Sequence, residues 1–499
     1  MCMANEFPLP APLPGPDAGL PPAPSAPLPP PEENPAIPPA YQSPQPVAAP
    51  PVKSSPFRFL TPILIGLVVI GILVFVGSRI FASLRPKTSV STRTEAITIN
   101  YWGLWETSNI MAPVITAFQA ANPNIKVNYQ LQSHQDYQDR LQTALTGNTP
   151  PDVARIHSTW LPIFIGNLFP ASANTVSATE IQTNFYPVVA NSVIVNNQVY
   201  GVPMNSDGLV LYINTNMLRQ ANLSAPQTWE DLRSIASTLT LRDTVSGKIT
   251  RAGVALGNTT NVRAWPDIVT LMLFQGGINP LSPNTKTVSD VLSYYTSFAA
   301  PGAFWDETLP DSVLAFANEK VAIIFAPLWV APEISAINPG LIWQTAPVPQ
   351  LPDTEPLNWA SMWLEIVPKN AAHPNEAWKF ISFLASAQAQ QILFESAIKE
   401  RGLGQVPSNK AVAQLASQNP ISSALVPGLS TAKTFYTASL THDGATALNS
   451  RLIKYLEDAI NAIAKKQDAA KVVETLNLGF NQVLSQYRLV TPLPTPTPK

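Results

Sequence analysis

Residues 59–78 (FLTPILIGLVVIGILVFVGS) form one uninterrupted apolar run, closed by Arg58 and Arg79. Its 20 residues, at about 1.5 Å of helix rise each, match a hydrocarbon core of about 30 Å. A core helix of this length normally shows a polar face, and this run has none. The run therefore predicts a transmembrane helix over 58–83, with everything functional working beside a membrane. It does not read as a cleaved secretory signal. Such a signal opens on a short basic stretch and a shorter apolar core, whereas here 58 residues precede the run and Ile80-Phe81-Ala82 is a poor cleavage site. Lys53 and Arg58 lie before it, and Arg79, Arg85, Lys87 and Arg93 after it. That bias favours a cytoplasmic location for the following domain, although large domains translocate despite such flanks.

The segments flanking the large soluble part are proline-rich. Residues 1–57 carry 20 of the 52 prolines, and proline fixes φ and lacks an N–H, so neither helix nor sheet ladders form there. The expectation is a disordered tail of polyproline II character, either a solvated spacer or a docking segment. Residues 84–95 read as a polar stalk, and 491–499 as a second disordered tail. Between them, roughly 400 residues suffice for two lobes with real cores.

Composition narrows the function classes. The net charge is -2 and only 12% of residues are charged, which gives no electrostatic footprint for nucleic acid. Cys2 is the only cysteine, so no internal disulfide forms. His134, His157, His373 and His442 show no metal-ligand spacing, and the sequence calls for no cofactor.

Ordered structure is expected from Ala96. Ile97, Ile99 and Tyr101 alternate with polar residues as in a strand. A helix follows, capped by Ser108 or Asn109, with Met111, Val114, Ile115 and Phe118 as its apolar stripe. The stretch 122–132 gives a turn and a second strand, and a helix through Tyr137, Leu141 and Leu145 ends near Gly147. This β-α-β-α order predicts an α/β sheet with crossover helices. Further on, Thr228 and Asp231 form a capping-box pair ahead of Leu232, Ile235, Ala236 and Leu239. Pro374 opens a helix whose Ala377, Phe380, Ile381 and Leu384 face a core.

These segments resemble, in order, the family 1 extracellular solute-binding proteins, the carbohydrate-binding group related to maltose-binding protein that serves ABC importers. The resemblance is carried by FQAANPNIKV, LQTALTGNTPPDV, VYGVPMNSDGLVLYINTNML with PQTWEDL, FANEKVAIIFAPLW, and MWLEIVPKNAAHPNEAWKFISFLAS. Helices near 448–464 and 470–487 match the family's C-terminal pair. The usual glycine before the tryptophan of the fourth segment is absent, a departure from the family's pattern at that loop.

The resemblance implies an α/β, two-lobe periplasmic-binding-protein fold of type II over 96–490, with a hinge and an interlobe ligand cleft, preceded by the one transmembrane helix. The first lobe would take about 96–202 and 364–412, and the second about 205–360 and 415–490. The hinge would lie near Val202-Pro203 and Met362–Glu365. It also implies reversible binding of a sugar or oligosaccharide, delivery to ABC permease subunits, a monomer, and an extracellular or periplasmic domain with the tail in the cytoplasm. Ligand contacts would come from Trp102, Trp105 and Glu106 after the first strand; His157, Ser158 and Trp160 after PPDV; Asn205 and Asp207 after the first hinge; Arg263 and Trp265 in the second lobe; and Trp329 and Trp363. Trp229, Trp305 and Trp378 are assigned to packing, and Asp152 to a turn. A pyranose suits such residues, because aromatic rings cover its C–H face and polar side chains bond its hydroxyl rim.

Two other classes are weighed. A glycan-active enzyme needs paired carboxylates across a cleft; Glu106, Asp207 and Glu365 are the available set, without any supporting motif. A sensory or adhesive receptor would keep the binding fold and use residues 1–57 for signalling.

Overall fold

The structure is a computed structural model that describes residues 96–444 and 447–493. The apolar run, the proline-rich tail and the stalk lie outside the described residues, as does the terminal segment 494–499. Among the described residues no helix is long and apolar enough to cross a membrane.

The chain builds two sheets and passes between them repeatedly. The first part supplies β1 (Ile97–Gly103), β2 (Ile125–Leu131) and β3 (Val153–His157), a small hairpin of β4 (Ile194–Val195) and β5 (Gln198–Val199), and β6 (Val202–Pro203). Next come β7 (Asn205–Asn214), β8 (Leu241–Arg242), β9 (Ile249–Val254), β10 (Val321–Pro327), β11 (Trp343–Ala346) and β12 (Asn358–Ser361). The last strands are β13 (Trp363–Ile366), β14 (Val406–Pro407) and β15 (Ala432–Lys433). The first sheet has the order β2-β1-β3-β13-β6, and the second runs β15-β12-β7-β10-β9-β8 with β11 and β14 also pairing β7.

In the first sheet β1 is parallel to both β2 and β3, so helical crossovers must join them. The first is the helix Ser108–Ala121, which buries Met111, Val114, Ile115 and Phe118 as the periodicity predicts. Its cap is a correction: the chain stays extended through Thr107, whose hydroxyl accepts from the Ile110 N–H, one residue ahead of the predicted cap. The helices Pro374–Leu384 and Ala387–Arg401 pack on the same layer, Phe380 meeting Phe118 at 4.9 Å between ring centroids. Gly103 is required at the end of β1, since a Cβ there would stand 2.3 Å from the Tyr129 ring.

The second sheet is centred on β7, which is buried over nearly its whole length and pairs with four other strands. A strand covered on both faces reads as a continuous apolar run, and LVLYI is one. The Thr228/Asp231 capping box forms and buries the predicted stripe of its helix. The C-terminal helices Leu448–Ala464 and Ala469–Gln486 pack on one another and on Lys286–Thr296.

The passages between sheets run side by side. Only Met204 separates β6 from β7, and only Met362 separates β12 from β13, both methionines being buried. β14 bonds to the first residues of β7, Asn205 and Ser206. Residues 406–407 are thus joined to the second sheet, inside the stretch assigned in the sequence to the first lobe up to 412. Thr491 and Leu493, expected to be free, are held by hydrogen bonds to Asn481.

Candidate functional site

The C-terminal ends of β1 and β3 and the beginning of β13 meet at the boundary between the sheets. The connection after β1 holds Trp105 at φ 69°, a left-handed conformation that costs a non-glycine residue about 1–2 kcal/mol. Trp105 is nonetheless 39% exposed, so packing of its ring does not account for the strain. Its indole stacks on His134 at 5.1 Å and meets Trp363 edge-on at 5.6 Å. His442, brought by the second lobe, lies 5.9 Å from Trp105 and 4.9 Å from His134. Trp363 in turn meets His157 at 5.1 Å and Trp160 at 5.4 Å. The result is an aromatic series graded from exposed rim to buried floor.

His157 ties the floor to the second lobe. Its Nδ1 lies 2.7 Å from the Thr159 hydroxyl and also accepts the Thr159 N–H, which leaves Nε2–H to donate to Ser361 Oγ at 2.7 Å. Thr159 Oγ1 then accepts from Asn449 at 2.7 Å, on the helix Leu448–Ala464. Burial alone, with no charge nearby to oppose it, pushes the His157 pKa down to about 3, so the ring is neutral. The loop bearing His442 is fixed from behind. Asp267 accepts from the Ser439 N–H and hydroxyl, and Thr270 bonds Thr437 at 2.6 Å. Burial raises the Asp267 pKa to about 7.

A second polar chain runs beside the hinge strands. Asp207 accepts from the backbone N–H groups of Gly208, Leu328 and Trp329 at 2.6, 2.9 and 3.2 Å. It thereby anchors the turn after β10 that presents Trp329, itself 40% exposed. Gln405 reaches Asn205 and Arg401, and Arg401 pairs with Glu106 at 3.2 Å. Burial raises the Asp207 pKa, opposed by the hydrogen bonds it accepts.

Two cavities are lined by residues from distant parts of the chain. One, of about 710 Å³, is lined by Ser158 and Thr159 from the first lobe and by Phe274, Lys433, Thr434 and Tyr436 from the second. The other, of about 450 Å³, lies between His134, Asp136 and Asp139 on one side and His442, Asp443 and Ser450 on the other. A two-lobed α/β body, with three closely paired passages between the sheets and an aromatic cleft where they meet, is the architecture of a binding protein. The family model for bacterial extracellular solute-binding proteins matches residues 105–391, more than half of the sequence. The chain belongs to that family.

Its relatives agree in extent. It is 23% identical over 445 residues to an uncharacterized ABC transporter extracellular-binding protein of Pyrococcus horikoshii, covering 82% of this chain and 93% of the relative. It is 21% identical over 342 residues to the multiple sugar-binding protein of Streptococcus mutans, covering 65% of this chain and 80% of that protein. Among solved structures, the sugar-binding protein MalE of Xanthomonas citri aligns with a TM-score of 0.64 at 20% identity, over 78% of this chain and 98% of that one. A solute-binding protein of Thermotoga lettingae bound with α-D-tagatose aligns with a TM-score of 0.59 at 21% identity, over 78% of this chain and 100% of that one. Solute-binding proteins are not enzymes, and the three carboxylates weighed for catalysis are engaged otherwise. Glu365 is held by Arg155 at 2.7 Å and by the Tyr101 hydroxyl at 2.8 Å, Glu106 pairs with Arg401, and Asp207 caps backbone N–H groups.

Of the residues singled out in the sequence of this solute-binding protein, the fold gathers Trp105, His157, Ser158, Trp160 and Trp363 at the cleft. Trp160 is part of the buried floor. Trp102 is half-buried on β1 against the core. Asn205 and Asp207 sit at the hinge and position neighbours. Three further candidates stand apart from that group. Arg263 is bound by Asp311 at 2.6 Å and Glu333 at 2.7 Å, Glu106 is 2% exposed and faces Arg401, and Trp265 is 8% exposed at the start of a helix. Asp152 does serve its turn, accepting from Asn100 and His373, and Trp229, Trp305 and Trp378 are buried packing residues. His134, His442, Thr159, Ser361 and Asn449 were missed, since their only signal is proximity across distant segments.

Proposed function

We propose that this chain captures a carbohydrate in the interlobe cleft and delivers it to the permease of an ABC importer. The observation carrying this reading is Trp105: a strained, exposed indole, braced by Trp363 and His134, offers a ring face to a ligand. Strain of this kind persists where function requires it. A sugar ring presents C–H groups to such a face and hydroxyls to the neighbouring imidazoles and hydroxyl side chains. Sugars named for the related proteins of Streptococcus mutans, Xanthomonas citri and Thermotoga lettingae support the same class. The paired passages at Met204 and Met362 are the hinge of the proposal, with lobes of about 96–202 plus 364–412 and about 205–360 plus 415–490 closing on the ligand. Residues 58–83 would anchor the receptor beside its permease, with the binding domain outside and residues 1–57 inside.

The test is a thermal-shift screen of the full-length protein against a carbohydrate panel. A ligand at 100 times its dissociation constant stabilises the folded state by about 2.7 kcal/mol. A shift with some sugar that disappears in Trp105→Ala and Trp329→Ala supports the reading. A well-folded protein that no sugar shifts overturns it.

A further inference from the structure

We propose that the larger cavity, which shares Ser158 and Thr159 with the cleft, takes the anionic group of an acidic saccharide on Lys433 and Arg488; this rests on the carbohydrate reading above. The larger cavity contains both cations in its lining and no carboxylate. Among the described residues neither cation forms an ion pair. The Lys433 ammonium lies 5.3 Å from the Phe274 ring centroid, which orients it over an aromatic wall without neutralising it. The other cavity is built with opposite sign, from Asp136, Asp139 and Asp443. The two spaces therefore differ in the sign of their lining, and only the larger one suits an anion.

The wall of the same cavity carries two unsatisfied groups. Ser158 Oγ, from the first lobe, and Thr434 Oγ1, from the second, are buried without a hydrogen-bond partner among the described residues. Buried polar groups are normally paired, and each exception asks for an explanation. Neither oxygen is open to the cavity, so neither is counted among its ligand contacts. Phe274 and Tyr436 supply apolar faces, and the two cations at the rim complete a site for a ring bearing a carboxylate or a phosphate. Both ligands present the same chemistry to a lysine and an arginine.

Calorimetric titration of the full-length protein with paired probes tests the assignment. The pairs are digalacturonate with galactobiose, and phosphorylated trehalose with trehalose; glycerol phosphate is the non-sugar anion. A hydrogen bond to a charged group contributes about 1.5–3 kcal/mol, so the acidic member of at least one pair should bind about tenfold or more tighter. That preference should shrink to about twofold in the Lys433→Gln/Arg488→Gln variant and weaken with added salt. Both side chains are exposed, and an unchanged urea midpoint would verify that the variant folds. A preference confined to digalacturonate assigns a carboxylate, and one confined to phosphorylated trehalose a phosphate. Neutral sugars binding as well as acidic ones, or a preference that survives the double variant, would overturn the anion assignment while leaving the carbohydrate reading intact. Glycerol phosphate binding through Lys433 and Arg488 with no saccharide bound would do the reverse.

Discussion

His157 makes a sharp prediction, because its titration has one cause. The ring is buried among Thr159, Ser361 and Trp363, and the loss of hydration alone lowers its pKa from 6.5 to about 3. On unfolding, the imidazole regains water and its ordinary pKa. Between those values the unfolded chain binds a proton that the folded chain refuses, so stability rises with pH. The stabilisation is fully present above pH 6.5 and is lost as pH falls toward the folded value. Each pH unit is worth about 1.36 kcal/mol, so moving from pH 7 to pH 5 removes about 2 kcal/mol. The wild-type curve alone does not isolate this, because Asp267 slopes the other way in the same range. The measurement is therefore urea unfolding of wild type and His157→Gln at both pH values. The Gln amide retains a donor for Ser361 and has no proton to gain. The stability difference between the two proteins should fall by about 2 kcal/mol on acidification. A difference constant to within about 0.5 kcal/mol would refute the claim that burial holds this ring neutral.

Asp267 should show the opposite sign. Its folded pKa of about 7 exceeds its ordinary value of 3.8, so its contribution is present below pH 3.8 and lost as pH rises through 7. Wild type measured against Asp267→Asn should therefore lose about 4 kcal/mol between pH 4 and pH 8 in unfolding titrations. Glu365→Ala leaves Arg155 charged, 3% exposed and unpaired in the first sheet. It should cost about 3–5 kcal/mol in the same assay, and the Arg155→Met/Glu365→Leu pair should cost less than the single change. Asp207→Ala removes the acceptor of the Leu328 and Trp329 N–H groups. A stability loss of about 1–3 kcal/mol should accompany weaker carbohydrate affinity, measured by calorimetry on the folded protein.

Local structure was largely readable in the sequence because it depends on neighbours a few residues away. The stripe from Met111 to Phe118, the Thr228/Asp231 capping box and the stop at Gly147 all follow from backbone geometry and side-chain periodicity. Even there, the Thr107 cap was misplaced by one or two positions, since threonine, serine and asparagine in succession are interchangeable to a sequence rule. The order of strands and helices likewise pointed to an α/β fold, because parallel strands need crossovers.

The cleft was legible only in outline. Trp105, His157 and Trp363 were marked by their place in segments that resemble the solute-binding family. Arg263, Glu106 and Trp265 have equally suitable chemistry, yet the fold gives the first two ionic partners and buries the third. Whether a polar or aromatic side chain is available to a ligand depends on what stands opposite it, and that partner lies 48 residues away for Arg263 and 295 for Glu106. The same holds for what was missed. His134 and His442 meet across 308 positions of sequence, and Thr159 finds Asn449 across 290. Residue type and spacing settle which elements form and which face they bury. Charge pairing, burial and the sign of a cavity's lining are properties of distant segments brought together, so they came into being with the packed fold.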